Sequence, residues 1–296
     1  VGVSGSQIYL DQTSTFNNLT GGTVNLSTLS FNRTNGGIAI VNNAGIINKT
    51  GAGSLPISQG TAISAFNNNS GGIVNVSAGE LVMQSTGGTD VGTYNISSGA
   101  TLRFTDARTF NSGISFTGSG ALVFGGGTQT FGAAQTFASG ALALSLTGST
   151  LTAANDLTIA APFTWSSGTI TGGGALNTSG TTTFTSGTLT TKTWNNSGTV
   201  GVSGSQIYLD QTSTFNNLTG GTVNLSTQSF NQTNGGTAIV NNAGIINKTG
   251  AGSLPISQGT TISAFNNQTG GVVNVTAGEL VMQSTGGTDV GTYNIS

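Results

Sequence analysis

At 296 residues the chain could form one large domain or two average ones, yet only 5% of it is charged, where an ordinary soluble domain carries about 25%. A net charge of −2 and six scattered basic residues (Arg33, Lys49, Arg103, Arg108, Lys192 and Lys248) give no field for nucleic acid or an anionic membrane surface. Zero cysteines exclude disulfides and thiolate metal sites, and 35% hydrophobic residues with only three prolines argue against a disordered chain.

In chain order, the first predicted strand is Gln7-Ile8-Tyr9-Leu10-Asp11, with Ile8 and Leu10 on one face. Phe16 then leads into Asn17-Asn18-Leu19-Thr20-Gly21-Gly22-Thr23-Val24-Asn25-Leu26, a small-residue turn followed by a strand whose Val24 and Leu26 share a face. The same phrase returns after Val41 at Asn42-Asn43 and after Phe66 at Asn67-Asn68-Asn69-Ser70-Gly71-Gly72-Ile73-Val74-Asn75-Val76. The pairs Leu81 and Met83, Leu102 and Phe104, and Leu122 and Phe124 repeat the two-residue alternation. Tyr94-Asn95-Ile96-Ser97-Ser98-Gly99-Ala100 and Phe110-Asn111-Ser112-Gly113-Ile114 are looser versions, and Trp194-Asn195-Asn196-Ser197-Gly198-Thr199-Val200 is a close one. No helical period competes, and the glycine, threonine and asparagine content opposes long helices. No run of about 20 apolar residues could cross a membrane as a helix.

A larger repeat encloses these phrases. Residues 1–97 recur at 200–296 with eight differences: Leu29/Gln228, Arg33/Gln232, Ile38/Thr237, Ala62/Thr261, Asn69/Gln268, Ser70/Thr269, Ile73/Val272 and Ser77/Thr276. The organisation is therefore solenoid segment 1–97, segment 98–199 that completes the period, and a second copy at 200–296. No signal peptide is legible, and both ends fall inside the repeat. The expectation is an excerpt from a longer tandem array, or a subunit whose ends complete one another by stacking. Repeats of this kind predict an all-β solenoid of stacked ~20–25-residue coils, each too small to bury its apolar face alone. Stacking about 4.8 Å apart pairs backbone amides between coils, columns Val, Ile, Leu and Phe inside, and places Gly and Asn at corners. Asparagine and threonine side chains can then form ladders along the axis. Like charges stacked at that spacing would repel, which accounts for a neutral exterior.

The phrases at Phe66–Val76 and Trp194–Val200 resemble filamentous-haemagglutinin-type and autotransporter-type adhesin repeats. That resemblance implies a right-handed parallel β-helix, export, and an adhesive or scaffold role at the cell surface. The near-perfect duplication departs from the more divergent repeats of such adhesins and leans toward a regular fibre, sheath or stalk.

Candidate chemistry is sparse. Histidine is absent, which removes the Ser-His-Asp and Cys-His nucleophile systems and the commonest metal ligand. Arg103, Asp106 and Arg108 form the best local cluster for a carbohydrate-processing groove, but a surface ion pair or a turn cap is the favoured reading. Gly87-Gly88-Thr89-Asp90 and Gly286-Gly287-Thr288-Asp289 approach a calcium-binding repeat but lack its series, so a tight turn is expected there. Thr181-Thr182-Thr183 and Thr190-Thr191-Lys192-Thr193 suggest an ice-binding array, but their spacing is uneven. Sixteen Asn-x-Ser/Thr triplets are candidate N-glycosylation sites: Asn18, Asn25, Asn32, Asn48, Asn68, Asn75, Asn95, Asn177, Asn195, Asn217, Asn224, Asn231, Asn247, Asn267, Asn274 and Asn294. Four of the eight differences between the copies fall inside these triplets, and every triplet survives them.

The expectation is a structural protein and not an enzyme, with no cofactor and no bound metal. It is placed outside the cell or on its surface, assembling with itself end to end and, as a further expectation, laterally. It does not bind nucleic acid or insert into membranes; glycans or neighbouring cell surfaces are its other expected contacts. The alternative is an adhesin that binds a receptor or glycan through exposed aromatic residues, with Tyr9, Tyr208 and Trp165 the candidates.

Overall fold

The computed structural model describes residues 1–3, 5–58, 62–85, 87–140, 142–256 and 262–296. Among these residues there is no helix, and the strands stack in parallel as a β-solenoid of about 13 turns with about 22 residues per coil. Thr261, one of the eight positions that differ between the copies, lies outside the described residues.

The chain forms two compact units, Val1–Ala133 with Gly140–Thr150, and Ala134–Ser139 with Leu151–Ser296. Their boundary falls inside the middle block of the sequence repeat.

In the first unit one sheet runs through Gly2–Val3, Thr23–Leu26, Ile46–Lys49, Ile73–Val76, Thr93–Ile96 and Ser115–Gly118. Each strand pairs in register with the next, and successive asparagine or threonine partners in this sheet are 23, 27, 20 and 22 residues apart. Alternation fixes the faces: Val24, Ile47, Val74 and Tyr94 stack inward as one column. A second sheet contains Ser14–Asn18, Ala39–Asn43 and Ala65–Asn68. Strands of the remaining side include Ser54–Pro56, Glu80–Met83, Thr101–Phe104 and Ala121–Phe124, which bury Leu81, Met83, Leu102, Phe104, Leu122 and Phe124 as their alternation predicts.

The second unit repeats the scheme. One sheet carries Leu157, Leu176, Trp194, Phe215, Val240 and Phe265 in a single inward column. Another runs through Thr181–Phe184, Thr199–Val202, Thr222–Leu225, Ile245–Lys248, Val272–Val275 and Thr292–Ile295. Aromatic rings meet along the interior: Trp165 and Trp194 have centroids 5.6 Å apart, Trp194 and Phe215 4.9 Å, and Phe215 and Phe230 5.0 Å. These tilted and edge-to-face contacts add to the apolar burial of the column.

The positive-φ corners are held mainly by glycine, and by no described asparagine. The first glycine of the Gly-Gly turns that follow the Asn-Asn phrases has positive φ, +83° at Gly21, +80° at Gly71, +88° at Gly220 and +83° at Gly270. The Asn-Asn pairs lie within strands, and no described asparagine has positive φ. An amide side chain in a stacked strand finds its partner one coil away, so it has no need of the local backbone bonds that favour turns. The second glycine of each turn answers a different need. A Cβ on Gly72 would sit 2.3 Å from the Asn43 carbonyl oxygen and 2.5 Å from Asn68 Oδ1. Gly72→Ala is expected to lower stability by about 1–3 kcal/mol, since the coil beneath cannot move away without breaking its own pairing. Thermal unfolding of the variant checks this.

Candidate functional site

The most extensive side-chain arrangement is a set of asparagine ladders. Asn18 Nδ2 donates to Asn43 Oδ1 at 2.8 Å, and Asn43 Nδ2 donates to Asn68 Oδ1 at 2.9 Å, with all three residues buried. On the outer face of the same strands, Asn67 donates to Asn42 and Asn42 to Asn17, each at 2.9 Å and in the opposite chain direction. A third ladder lies on the neighbouring sheet, where Asn48 donates to Asn25 and Asn75 to Asn48, both at 2.8 Å. The second unit has the equivalents: a buried run Asn196, Asn217, Asn242 and Asn267, and an outer run Asn177, Asn195, Asn216, Asn241 and Asn266. Its third run is Asn224, Asn247, Asn274 and Asn294.

This sorts the glycosylation triplets. Asn18, Asn32, Asn68, Asn217, Asn231 and Asn267 are buried. Asn32 and Asn231 each donate at 2.6 Å to the glutamine one coil before, Gln7 and Gln206. Asn25, Asn48, Asn75, Asn95, Asn177, Asn195, Asn224, Asn247, Asn274 and Asn294 point outward.

Among the described residues, most charged side chains have a structural partner. Arg103 points outward and its Nε lies 2.6 Å from Glu80 Oε1. Arg108 points inward and is fully buried. Its Nε and Nη2 reach Asp90 at 2.8 and 2.7 Å, Nη1 reaches Ser85 Oγ at 2.9 Å, and Nη2 also donates to the Phe66 carbonyl at 2.6 Å. The guanidinium lies 5.5 Å from the Phe104 ring centre and 5.8 Å from that of Phe66. Burial, the largest single influence, would lower the Arg108 pKa, but the Asp90 charge, the Tyr94 oxygen and the hydrogen bonds to both together outweigh it and raise it. Burial also pushes Tyr94, in the same cluster, well above the ordinary phenol range.

Arg103, Asp106 and Arg108 are therefore not brought together. Asp106 sits in a turn where partial burial raises its pKa, and its carbonyl accepts from Gln129 at 2.8 Å. Asp90 lies on the strand Thr89–Asp90 and not in the expected tight turn. It faces Arg108 and accepts the Asn68 amide at 2.9 Å. Asp11 accepts from the Thr34 amide at 2.7 Å and the Asn35 amide at 3.2 Å, and the backbone bond from Thr34 is the main reason its pKa is lowered. Asp210 repeats these bonds with Thr233 and Asn234.

Lys49 was not expected inside. It occupies the inward column between Leu26 and Val76, fully buried, where its ammonium donates to the carbonyls of Gly51, Gly53 and Ala78. Lys248 holds the same place with Gly250 and Ala277. The alternation Ile47-Asn48-Lys49 carried the signal, because an inward Ile47 puts Lys49 inward too. Burial lowers the Lys49 pKa below 10.5. In the window between its folded value and 10.5 the unfolded chain holds the extra proton, so stability rises with pH there. Relative to Lys49→Met, the native chain is expected to gain stability as pH rises toward 10.5 and to level off above it. Denaturant titrations of both proteins at several alkaline pH values check the sign.

The aromatic candidates separate as well. Trp165 is fully buried and Tyr208 partly so, while Tyr9 is 53% exposed. The threonine runs do not make an even array, since Thr182 is buried and the outward row Thr181, Thr199, Thr222 continues as Ile245.

No protein-family model matches the chain, and neither a curated protein nor a solved structure is significantly similar to it.

Proposed function

We propose that the chain is a structural component of an extracellular filament, sheath or cell-surface fibre. The observation that carries this reading is the axial ladder system: amide side chains and backbone pair coil to coil along both units, the arrangement that lets a stack bear load along its axis. The charged side chains support it, since Arg108, Asp90, Asp11 and Lys49 each satisfy a buried or turn position instead of converging on a cleft. The resemblance to filamentous-haemagglutinin and autotransporter repeats places this stack outside the cell in the same reading. N-glycans would attach at outward asparagines such as Asn177 or Asn195. Rungs about 4.8 Å apart are too close for a glycan on every one. The alternative reading, an adhesin for a receptor or glycan, is favoured by the exposed ring of Tyr9, one of the three aromatic candidates.

Electron microscopy of the purified full chain over a range of concentrations tests the main reading. Unbranched filaments are expected. Particles that stay single at every concentration, or turnover of a polysaccharide by the pure protein, would overturn it.

A further inference from the structure

The charged side chains of the first unit are segregated. Asp11, Arg33, Glu80, Arg103 and Asp106, the five that are at least partly exposed, all lie on the strands Ile8–Tyr9, Phe31–Asn32, Glu80–Met83 and Thr101–Phe104 or in the turns that follow them. The sheet from Thr23–Leu26 to Ser115–Gly118 presents no charged side chain outward; its one lysine, Lys49, points in.

What that sheet does present is regular. Each middle strand shows two outward side chains. One row reads Thr23, Ile46, Ile73 and Thr93, and the other is the ladder Asn25, Asn48, Asn75 and Asn95. In the second unit the corresponding rows are Thr222, Ile245, Val272 and Thr292 beside Asn224, Asn247, Asn274 and Asn294. Every residue of the first row is β-branched, and every residue of the second is an amide.

We infer that this uncharged sheet face is a lateral contact surface for a second copy of the same chain, packed side by side. The inference rests on the filament reading and specifies how filaments would thicken. Three features select a copy as the occupant. The face is self-complementary, because an amide in the middle of a ladder, such as Asn48, spends one N–H and one acceptor position along its row and has another of each left to offer. It is free of the like-charge repulsion that two copies would otherwise meet. Its half-exposed Ile46, Ile73 and Val272 gain by leaving water, about 25 cal/mol for each Å² buried. Stiff β-branched side chains beside an amide ladder are the composition of dry interfaces between facing sheets, which pack about 10 Å apart. A small gain per coil then accumulates with the number of coils in contact.

Sedimentation velocity and electron microscopy of the full chain test this, using Asn48→Lys combined with Asn247→Lys. Thr101→Lys, which places a cation beside Glu80 on the charged side, is the control. The native chain and the control are expected to associate side by side, and the double variant to associate at least about tenfold more weakly. Far-UV circular dichroism establishes that each variant folds; if the double variant does not, Thr93→Lys with Thr292→Lys places the charge on the other row. A folded variant that associates like the native chain overturns the inference, as does a native chain whose filaments remain one molecule wide. That last result leaves the filament reading intact. Side-by-side pairs that never lengthen would support this face and overturn the filament. Single particles that adsorb to a neutral polysaccharide would overturn both.

Discussion

Arg108→Met is expected to destabilise the coils around residues 66–110 by about 3–5 kcal/mol, the cost of breaking one side of a buried ion pair. The guanidinium makes four hydrogen bonds to Asp90, Ser85 and Phe66, and the side chains of both ion-pair partners are fully buried. Methionine fills much of the volume and leaves the Asp90 carboxylate without its counter-charge. Adding Asp90→Asn is expected to restore most of the loss, because an amide still accepts from the Asn68 N–H and carries no charge to strand. Hydrogen exchange read over residues 62–85 and 87–131 checks both variants, since a solenoid unfolds locally and a single melting point would average the effect. Equal protection in the native chain and Arg108→Met would show that the pair contributes nothing there.

The second large effect separates two ladders made by adjacent residues. Asn43→Ala removes a buried rung that accepts from Asn18 and donates to Asn68, and leaves both of those amides short of a partner where water cannot reach. About 2–4 kcal/mol is expected. Asn42→Ala removes an outer rung with the same number of ladder bonds, from Asn67 and to Asn17. Water replaces those bonds at the surface, so less than about 1 kcal/mol is expected. Urea titration of the two single variants measures the contrast. Equal losses would mean that burial does not set the value of a rung.

Much of this fold is legible in the sequence because the two signals that specify it are local. Period-two alternation puts Val24, Leu81, Phe104 and Phe124 inside, and the 25-residue spacing of Asn17, Asn42 and Asn67 becomes the register of a sheet. The roles of the charges were not legible for the opposite reason. Arg108 and Asp90 are 18 residues apart and meet only because coils of unequal length bring their strands level. Neighbours in sequence suggested a cluster of Arg103, Asp106 and Arg108, whereas alternation sends Arg103 out and Arg108 in. Lys49 is a different case. Its inward parity was visible, but a lone cation in an apolar column is credible only once the turn carbonyls that receive it are placed. General turn preference assigns asparagine to corners, whereas the stack offers the ladder amides a partner in the next coil.

Coils of this solenoid lie directly over one another in register, and a cross-link tests that most directly. The chain has no cysteine of its own, so Asn42→Cys with Asn67→Cys introduces a single pair. Stacked parallel neighbours about 4.8 Å apart fall within disulfide reach. Mild oxidation is expected to close the bond in the folded protein, while Asn42→Cys with Ala65→Cys, displaced along the strand, stays open. Failure of the in-register pair to close while the displaced pair closes would contradict the stacking on which every other claim stands.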